Sequence, residues 1–209
     1  MTALIETMRA RGGVLPLVWL HRSRIERSCA ALNLPAPGFW DEAERRAAEI
    51  GDGVVRVVWN GVAEWSTRAA GTDPVVLRTS AVPHAPYPHK TTAREVFTRA
   101  ARAVGSEEPL LLTVEGLVAE TPRFALSWFD GGDLCAVAPA LGILRSVAIA
   151  RLELLTEVHW CQAALGLVRG RPLAVVNAAR GLQPVASLDG VSVDPDARWT
   201  DLAERFWPA

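Results

Sequence analysis

Lys90 is the only lysine in the chain; the other twenty-one of its twenty-two basic residues are arginine. Lysine is among the commonest residues of soluble domains. Where a plain positive charge is wanted this sequence supplies a guanidinium, so the one amine it keeps is a candidate for work a guanidinium cannot do. Arginine stays protonated and is a poor nucleophile, whereas a lysine amine can lose its proton, attack a carbonyl carbon and form a Schiff base. Arginine-biased codon usage with one chance survivor would give the same count, so the neighbourhood has to decide. Three prolines within residues 82–88 precede Lys90. A helical run follows, with Val96, Phe97, Ala100, Ala101 and Val104 on one face, Thr92 and Glu95 at capping-box spacing and Gly105 at the stop. A lysine just ahead of a helix N-terminus meets partial positive charge, which, if the position is enclosed, lowers its pKa towards neutrality.

The other reactive side chains carry weaker signals. Cys29, Cys135 and Cys161 make an odd count without CxxC spacing, which suits reduced packing residues better than disulfides or zinc. His84 and His89 have no acidic or cysteine partner at ligand spacing, and His21 and His159 read as structural, so no metal site is expected. Neither GxxxxGK[ST] nor GxGxxG occurs. The eight tryptophans are scattered along the chain and read as core, and Glu44-Arg45-Arg46 reads as a solvated helix face. Twenty-two basic against twenty-three acidic residues give a net charge of -1, which argues against nucleic acid or an anionic membrane as partner. Apolar runs such as Leu110–Leu112 and Val137–Leu141 fall far short of the roughly 20 residues of a membrane span. Glu6, Arg9 and Arg11 interrupt any signal-peptide pattern, so a soluble, cytoplasmic protein is expected.

A chain of 209 residues, half of them apolar and 22% charged, makes one large domain or two small ones and excludes disordered, collagen-like and coiled-coil classes. Periodicity predicts strands over 2–10 and 14–19 around a Gly12-Gly13 turn, then helices over 20–32 and 39–50. A meander of strands at 54–59, 63–68 and 74–79 follows, with Asn60-Gly61 and Gly71 between them. The proline-rich stretch suits an extended linker. This divides the chain into a small N-terminal domain (1–82), a linker (83–89) and a larger C-terminal domain (90–209). In the second half the pattern predicts strands at 109–114, 117–120, 124–129 and 133–138, a helix over 146–156, strands at 173–177 and 182–187, and a terminal helix over 197–206. The class is α+β.

Several collinear stretches resemble the class IV pyridoxal-phosphate enzymes, which include branched-chain and D-amino-acid aminotransferases and aminodeoxychorismate lyase. Glu6-Thr7-Met8-Arg9 resembles their FETLR strand, and His21-Arg22-Ser23-Arg24-Ile25 with Ser28 their HLxRLxxSA helix. His89-Lys90-Thr91 resembles the sequence around the cofactor lysine, Glu115–Glu120 the EGxVTE stretch, and Gly142–Ala148 the GILPGIT stretch. Asn177–Val185, ending in Leu188-Asp189-Gly190, is most similar to the lyase's NSLRGxxPV…xDG.

The resemblance implies a two-domain fold, with a small, shortened N-terminal α/β sandwich and a larger mixed, β-barrel-like domain flanked by helices. It implies pyridoxal 5'-phosphate as cofactor, Lys90 as its attachment point and the base, and Glu120 as the carboxylate on the pyridine nitrogen. Arg24 would bind the phosphate with Ser146, Val147, Ala148 and Ala178, and Ala179 and Arg180 would lie at the substrate mouth. A small-molecule amine substrate and a homodimer follow from the family's habit. The activity implied first is that of a lyase resembling 4-amino-4-deoxychorismate lyase, which releases pyruvate and 4-aminobenzoate for folate synthesis. A class IV aminotransferase is the alternative, and a degenerate, non-catalytic homologue a second one. The chain departs from the pattern where Ser146 replaces the usual glycine, Ala148 a threonine, Ile149 an arginine and Ala178 a serine or threonine. Thr121, Pro122 and Ala125 thin the polar EGSxxN signature, and the family's leading strand pair and GDG turn do not precede the first match.

Overall fold

The computed structural model describes residues 2–71 and 73–208. The first third of the chain runs β1 (Leu4–Ala10), α1 (Val18–Ala31), α2 (Trp40–Ile50), β2 (Gly53–Trp59) and β3 (Ala63–Arg68). The strands form an antiparallel sheet in the order β1-β2-β3. Because side chains alternate across a strand, Leu4, Met8, Val55 and Val57 share one face and pack with Ile25 and Cys29 of α1 and Ala43 and Ala47 of α2. The opposite face carries Ile5, Thr7, Arg56 and Arg68, and these line a cavity shared with the second half of the chain.

The rest comprises β4 (Val75–Thr79), α3 (Glu95–Val104), β5 (Glu108–Leu110), β6 (Ala125–Asp130), β7 (Asp133–Val137) and a 3-10 turn at Pro139–Leu141. Then come α4 (Val147–Leu152), β8 (His159–Cys161), α5 (Leu165–Val168), β9 (Leu173–Asn177), β10 (Gly181–Leu188), β11 (Val191–Ser192) and α6 (Ala197–Arg205). These strands build one mixed sheet in the order β5-β4-β10-β9-β6-β7-β8, with β11 on β10. Strand β9 shows how it is packed: Leu173 and Val175 enter a core with Leu77, Leu126 and Trp128, while Ala174 and Val176 enter a second with Leu152, Trp199 and Phe206. Leu17 and Leu20, at the start of α1, belong to that second core. One helix therefore spans both halves. The α+β class read from the sequence is the observed one.

Four local expectations are corrected. Gly12 and Gly13 do turn the chain, with φ of 53° and 81°, but the return arm is a single Arg11–Val14 bridge. Pro16 has no N–H for a ladder, and a helix starts at Val18 where a strand was expected. The meander stops at β3: the chain crosses to the large sheet, where Val75 and Leu77 bury themselves and β4 pairs parallel with both β5 and β10. Residues 117–120 form no strand; Leu112–Val118 and Leu117–Ala164 are isolated bridges after a turn at Gly116 (φ 81°). Nor are all tryptophans core, since Trp19 is 50% and Trp160 41% exposed. The proline-rich stretch is extended as its composition requires, yet it is packed, with Tyr87 buried and the His84 N–H donating to the Leu112 carbonyl at 2.7 Å.

Candidate active site

Lys90 is held against the small sheet. The Ile5 N–H donates to its carbonyl at 2.7 Å, the Thr92 N–H donates to the Ala3 carbonyl at 2.8 Å, and Leu4 pairs with Thr91 between them. Tyr87 closes the turn from inside, its hydroxyl accepting from the Thr91 N–H at 2.7 Å and donating to the Thr91 carbonyl at 2.5 Å. Burial, followed by the charges of Arg24 and Arg94, lowers the Lys90 amine from 10.5 to about 7, with Glu6 and Glu120 acting in the opposite sense. The expected shift is present, but the expected cause is not. Helix α3 begins at Glu95 with Arg94 as its cap, and the Thr92 hydroxyl closes no capping box but accepts from the Ala3 N–H at 3.1 Å.

The motif residues of β1 and α1 meet beside this amine. His21, Arg24 and Ser28 recur at helical spacing on one face of α1, and all three are buried. Arg24 grips Glu6 with two nitrogens, Nε to Oε1 at 2.9 Å and Nη2 to Oε2, while His21 Nδ1 lies 2.6 Å from Oε2. Burial pushes the Glu6 carboxyl up, but Arg24 and His21 outweigh it and hold the group at about 2. The fork-to-carboxylate geometry fixes the guanidinium plane. Its remaining nitrogen, Nη1, is left for another anion. Further along the helix, the Ser28 hydroxyl lies 3.1 Å from His89 Nδ1.

Glu120 is buried and fixed by two contacts, His84 Nε2 at 3.0 Å from Oε1 and the Leu144 N–H donating to Oε2 at 3.4 Å. Lys90, Glu120, Arg24, Ser146, Val147, Ala178, Ala179 and Arg180 all line one cavity of about 380 Å³, a volume within the range of small-molecule sites. Ala148 is the exception. It is fully buried in the core of the large half, and its N–H donates to the Ser146 hydroxyl at 3.2 Å. The Ser146 oxygen also accepts from the Ile149 N–H at 3.5 Å, which leaves its own O–H free to donate. Asn177 similarly takes the N–H groups of Ala179 and Arg180, at 2.9 and 2.7 Å. Val147 and Ala178 also line the cavity, and among the described residues their N–H groups have no hydrogen-bond partner.

These residues fit pyridoxal phosphate: an amine near neutrality to condense with its aldehyde, a fixed carboxylate for its ring nitrogen, and Arg24 with hydroxyl and backbone donors for its phosphate. Sequence reading missed His84, whose partner lies thirty-six residues away, and the cavity arginines Arg56, Arg68, Arg94 and Arg123. Alternation along β2 and β3 was the signal available for Arg56 and Arg68, because it sets them on the face away from the helices.

Fold and cavity together define a pyridoxal-phosphate enzyme. Residues 3–188 match the model of the class IV aminotransferases, and the chain belongs to that family, whose members use this cofactor. Among curated proteins none matches. Solved structures share the fold. A provisionally assigned branched-chain amino acid aminotransferase from Thermotoga maritima has a TM-score of 0.86 at 20% identity, over 98% of this chain and 87% of that one. The 4-amino-4-deoxychorismate lyase of Pseudomonas aeruginosa scores 0.83 at 22% identity, over 97% and 89%. A hypothetical aminotransferase from Mycobacterium tuberculosis, in its pyridoxal-phosphate-bound form, scores 0.83 at 18%, over 98% and 87%.

Proposed function

We propose that the protein is a lyase of the 4-amino-4-deoxychorismate type, which expels pyruvate from an aminated cyclohexadiene and leaves 4-aminobenzoate for folate synthesis. It would act in the cytoplasm as a homodimer. The buried amine of Lys90, lowered to about 7, carries the enzymatic reading. The bound cofactor would supply an electron sink for charge developing at the amine-bearing carbon. Lys90 then moves the proton at that carbon: with a pKa near ambient pH, a large share of the amine is unprotonated and can accept it. Glu120, fixed by His84 and the Leu144 N–H, holds a proton on the ring nitrogen. Arg24, held flat by Glu6, binds the phosphate with the Ser146 hydroxyl and the N–H groups of Val147 and Ala178.

Ala179 and Arg180 would orient the substrate. The lyase reading over the aminotransferase one is supported by the Arg180-Gly181-Leu182-Gln183-Pro184-Val185 stretch, while the guanidinium groups of the cavity suit the carboxylates of either substrate class. The protein should purify with visible absorption that borohydride abolishes while fixing the cofactor to Lys90. A colourless protein that takes up no added cofactor would leave the degenerate-homologue reading. Incubation with the aminated chorismate should release pyruvate and 4-aminobenzoate. Glutamate formed from amino acids and 2-oxoglutarate, without pyruvate release, would make it an aminotransferase.

A further inference from the structure

We propose that Arg94 is a positioning residue for Lys90: a guanidinium without a counter-charge that keeps the amine free of its proton and ties the Lys90 turn to the Glu120 turn. This rests on the functional reading above for the cofactor and concerns the amine that receives it. Arg94 caps α3 four residues after Lys90, is half-buried and lines the same cavity. Its Nη2 donates to the carbonyl of Pro122, two residues after Glu120, and its Nη1 to the Tyr87 hydroxyl at 3.4 Å. That hydroxyl is the one that closes the Lys90 turn through both backbone groups of Thr91. The guanidinium also lies 4.9 Å from the centre of the Phe97 ring and 5.8 Å from that of Tyr87.

These neighbours hold Arg94 in place but do not neutralise it. Among the described residues, no carboxylate lies within ion-pair distance of it. The other charged and titratable groups that bear on the amine are partnered. Arg24 of α1 is bound to Glu6 of β1, and His21, on the same helix, is lowered by burial and stays neutral beside that carboxylate. Glu120 has His84 on one oxygen and the Leu144 N–H on the other. After burial, Arg24 and Arg94 disfavour a proton on Lys90, while Glu6 and Glu120 favour it. Arg24 and Glu6 form one ion pair and act in opposite senses, so Arg94 is the cation that stands against Glu120. Without it, the acids draw the proton back onto the amine.

Because Lys90 is the only lysine, protein grown with lysine isotope-labelled at Cε gives a single lysine resonance, whose pH midpoint reads this amine in the cofactor-free chain. Arg94→Met should raise that midpoint by about one pH unit. Arg94→Gln, which keeps a donor for the Pro122 carbonyl, should raise it equally even if the Met variant folds poorly. At pH 7 the proton-free share of the amine then falls about fivefold, and the rate at which added pyridoxal phosphate is captured falls with it. Arg94→Lys, which restores a cation, should bring capture back to within about twofold of the parent. A midpoint unmoved in the Gln variant overturns the proposal, as does a Lys variant that captures the cofactor no faster than the Gln variant. A chain that takes no cofactor but shows the shifted midpoint keeps the role of Arg94 and sinks the functional reading. One that takes the cofactor without the shift does the reverse.

Discussion

An amine that burial lowers to about 7 is a destabilising group in the folded chain. The unfolded Lys90 would titrate near 10.5, so between the two values the unfolded chain holds a proton that the folded chain has shed, and stability rises with pH across that window. The penalty is fully present below about 7. At about 1.4 kcal/mol per pKa unit it is of order 5 kcal/mol. In the cofactor-free protein, Lys90→Met should therefore raise the urea midpoint at pH 7, with an advantage that vanishes above pH 10; a constant advantage at every pH would refute the burial account. Glu6 works in the other direction. Its carboxyl is lowered from 4.5 to about 2, so its contribution is present above 4.5 and lost as the pH falls through 2. Glu6→Gln leaves Arg24 buried without its counter-charge, which costs about 3–5 kcal/mol. The two proteins should differ by that amount at pH 7 and converge near pH 2 in denaturant titrations, and the variant should hold the cofactor phosphate more weakly.

At the scale of elements, the site depends on loops that long-range contacts hold in place. Gly142 adopts φ 74°, and a Cβ there would meet Pro86 Cβ at 3.0 Å and Pro86 Cα at 3.3 Å. The Gly142 carbonyl also accepts from the Tyr87 N–H at 2.7 Å, so pressure at Pro86 passes to the turn that carries Lys90. Gly142→Ala should cost about 1–2 kcal/mol in left-handed backbone strain. It should also lower kcat/KM well beyond that loss of stability; unchanged kinetics would mean that the turn absorbs the shift. The same distinction explains what could be read from sequence. Helices α2 and α6 were legible because each buries one periodic face, and strand β9 because it is a short, β-branched apolar run buried on both faces. Lys90, Glu120 and Arg24 stood out through composition and motif. His84 and the arginines of β2 and β3 did not, because their meaning comes from partners and surfaces far away in the chain. Strand β4 was assigned to the wrong sheet for the same reason: Val75 and Leu77 alternate correctly for either one, and only the parallel pairing with β5 and β10 decides between them.

For the whole molecule, the charge that matters is local. The chain as a whole carries a net charge of -1, so its distant field neither attracts nor repels a small anion strongly. Inside the cavity the balance is six arginines and Lys90 against two acids; Arg56 and Arg68 come from the small sheet, Arg24 from α1, and Arg94, Arg123 and Arg180 from the loops of the larger half. The surface ion pairs that supply much of the overall neutrality, such as Arg45–Glu42 and Arg205–Asp201, are solvent-screened and contribute about 0–1 kcal/mol each. Ionic strength should therefore separate binding from folding. The Debye length is about 10 Å at 0.1 M salt and shrinks further at higher salt, and added anions compete for the same arginines. Raising sodium chloride from about 0.05 to 0.5 M should increase the KM of a substrate with two carboxylates several-fold, and that of a monocarboxylate less, while the thermal midpoint barely moves. A KM for the dicarboxylate that stays flat across that range would mean that the cavity arginines serve the fold and do not recruit the substrate.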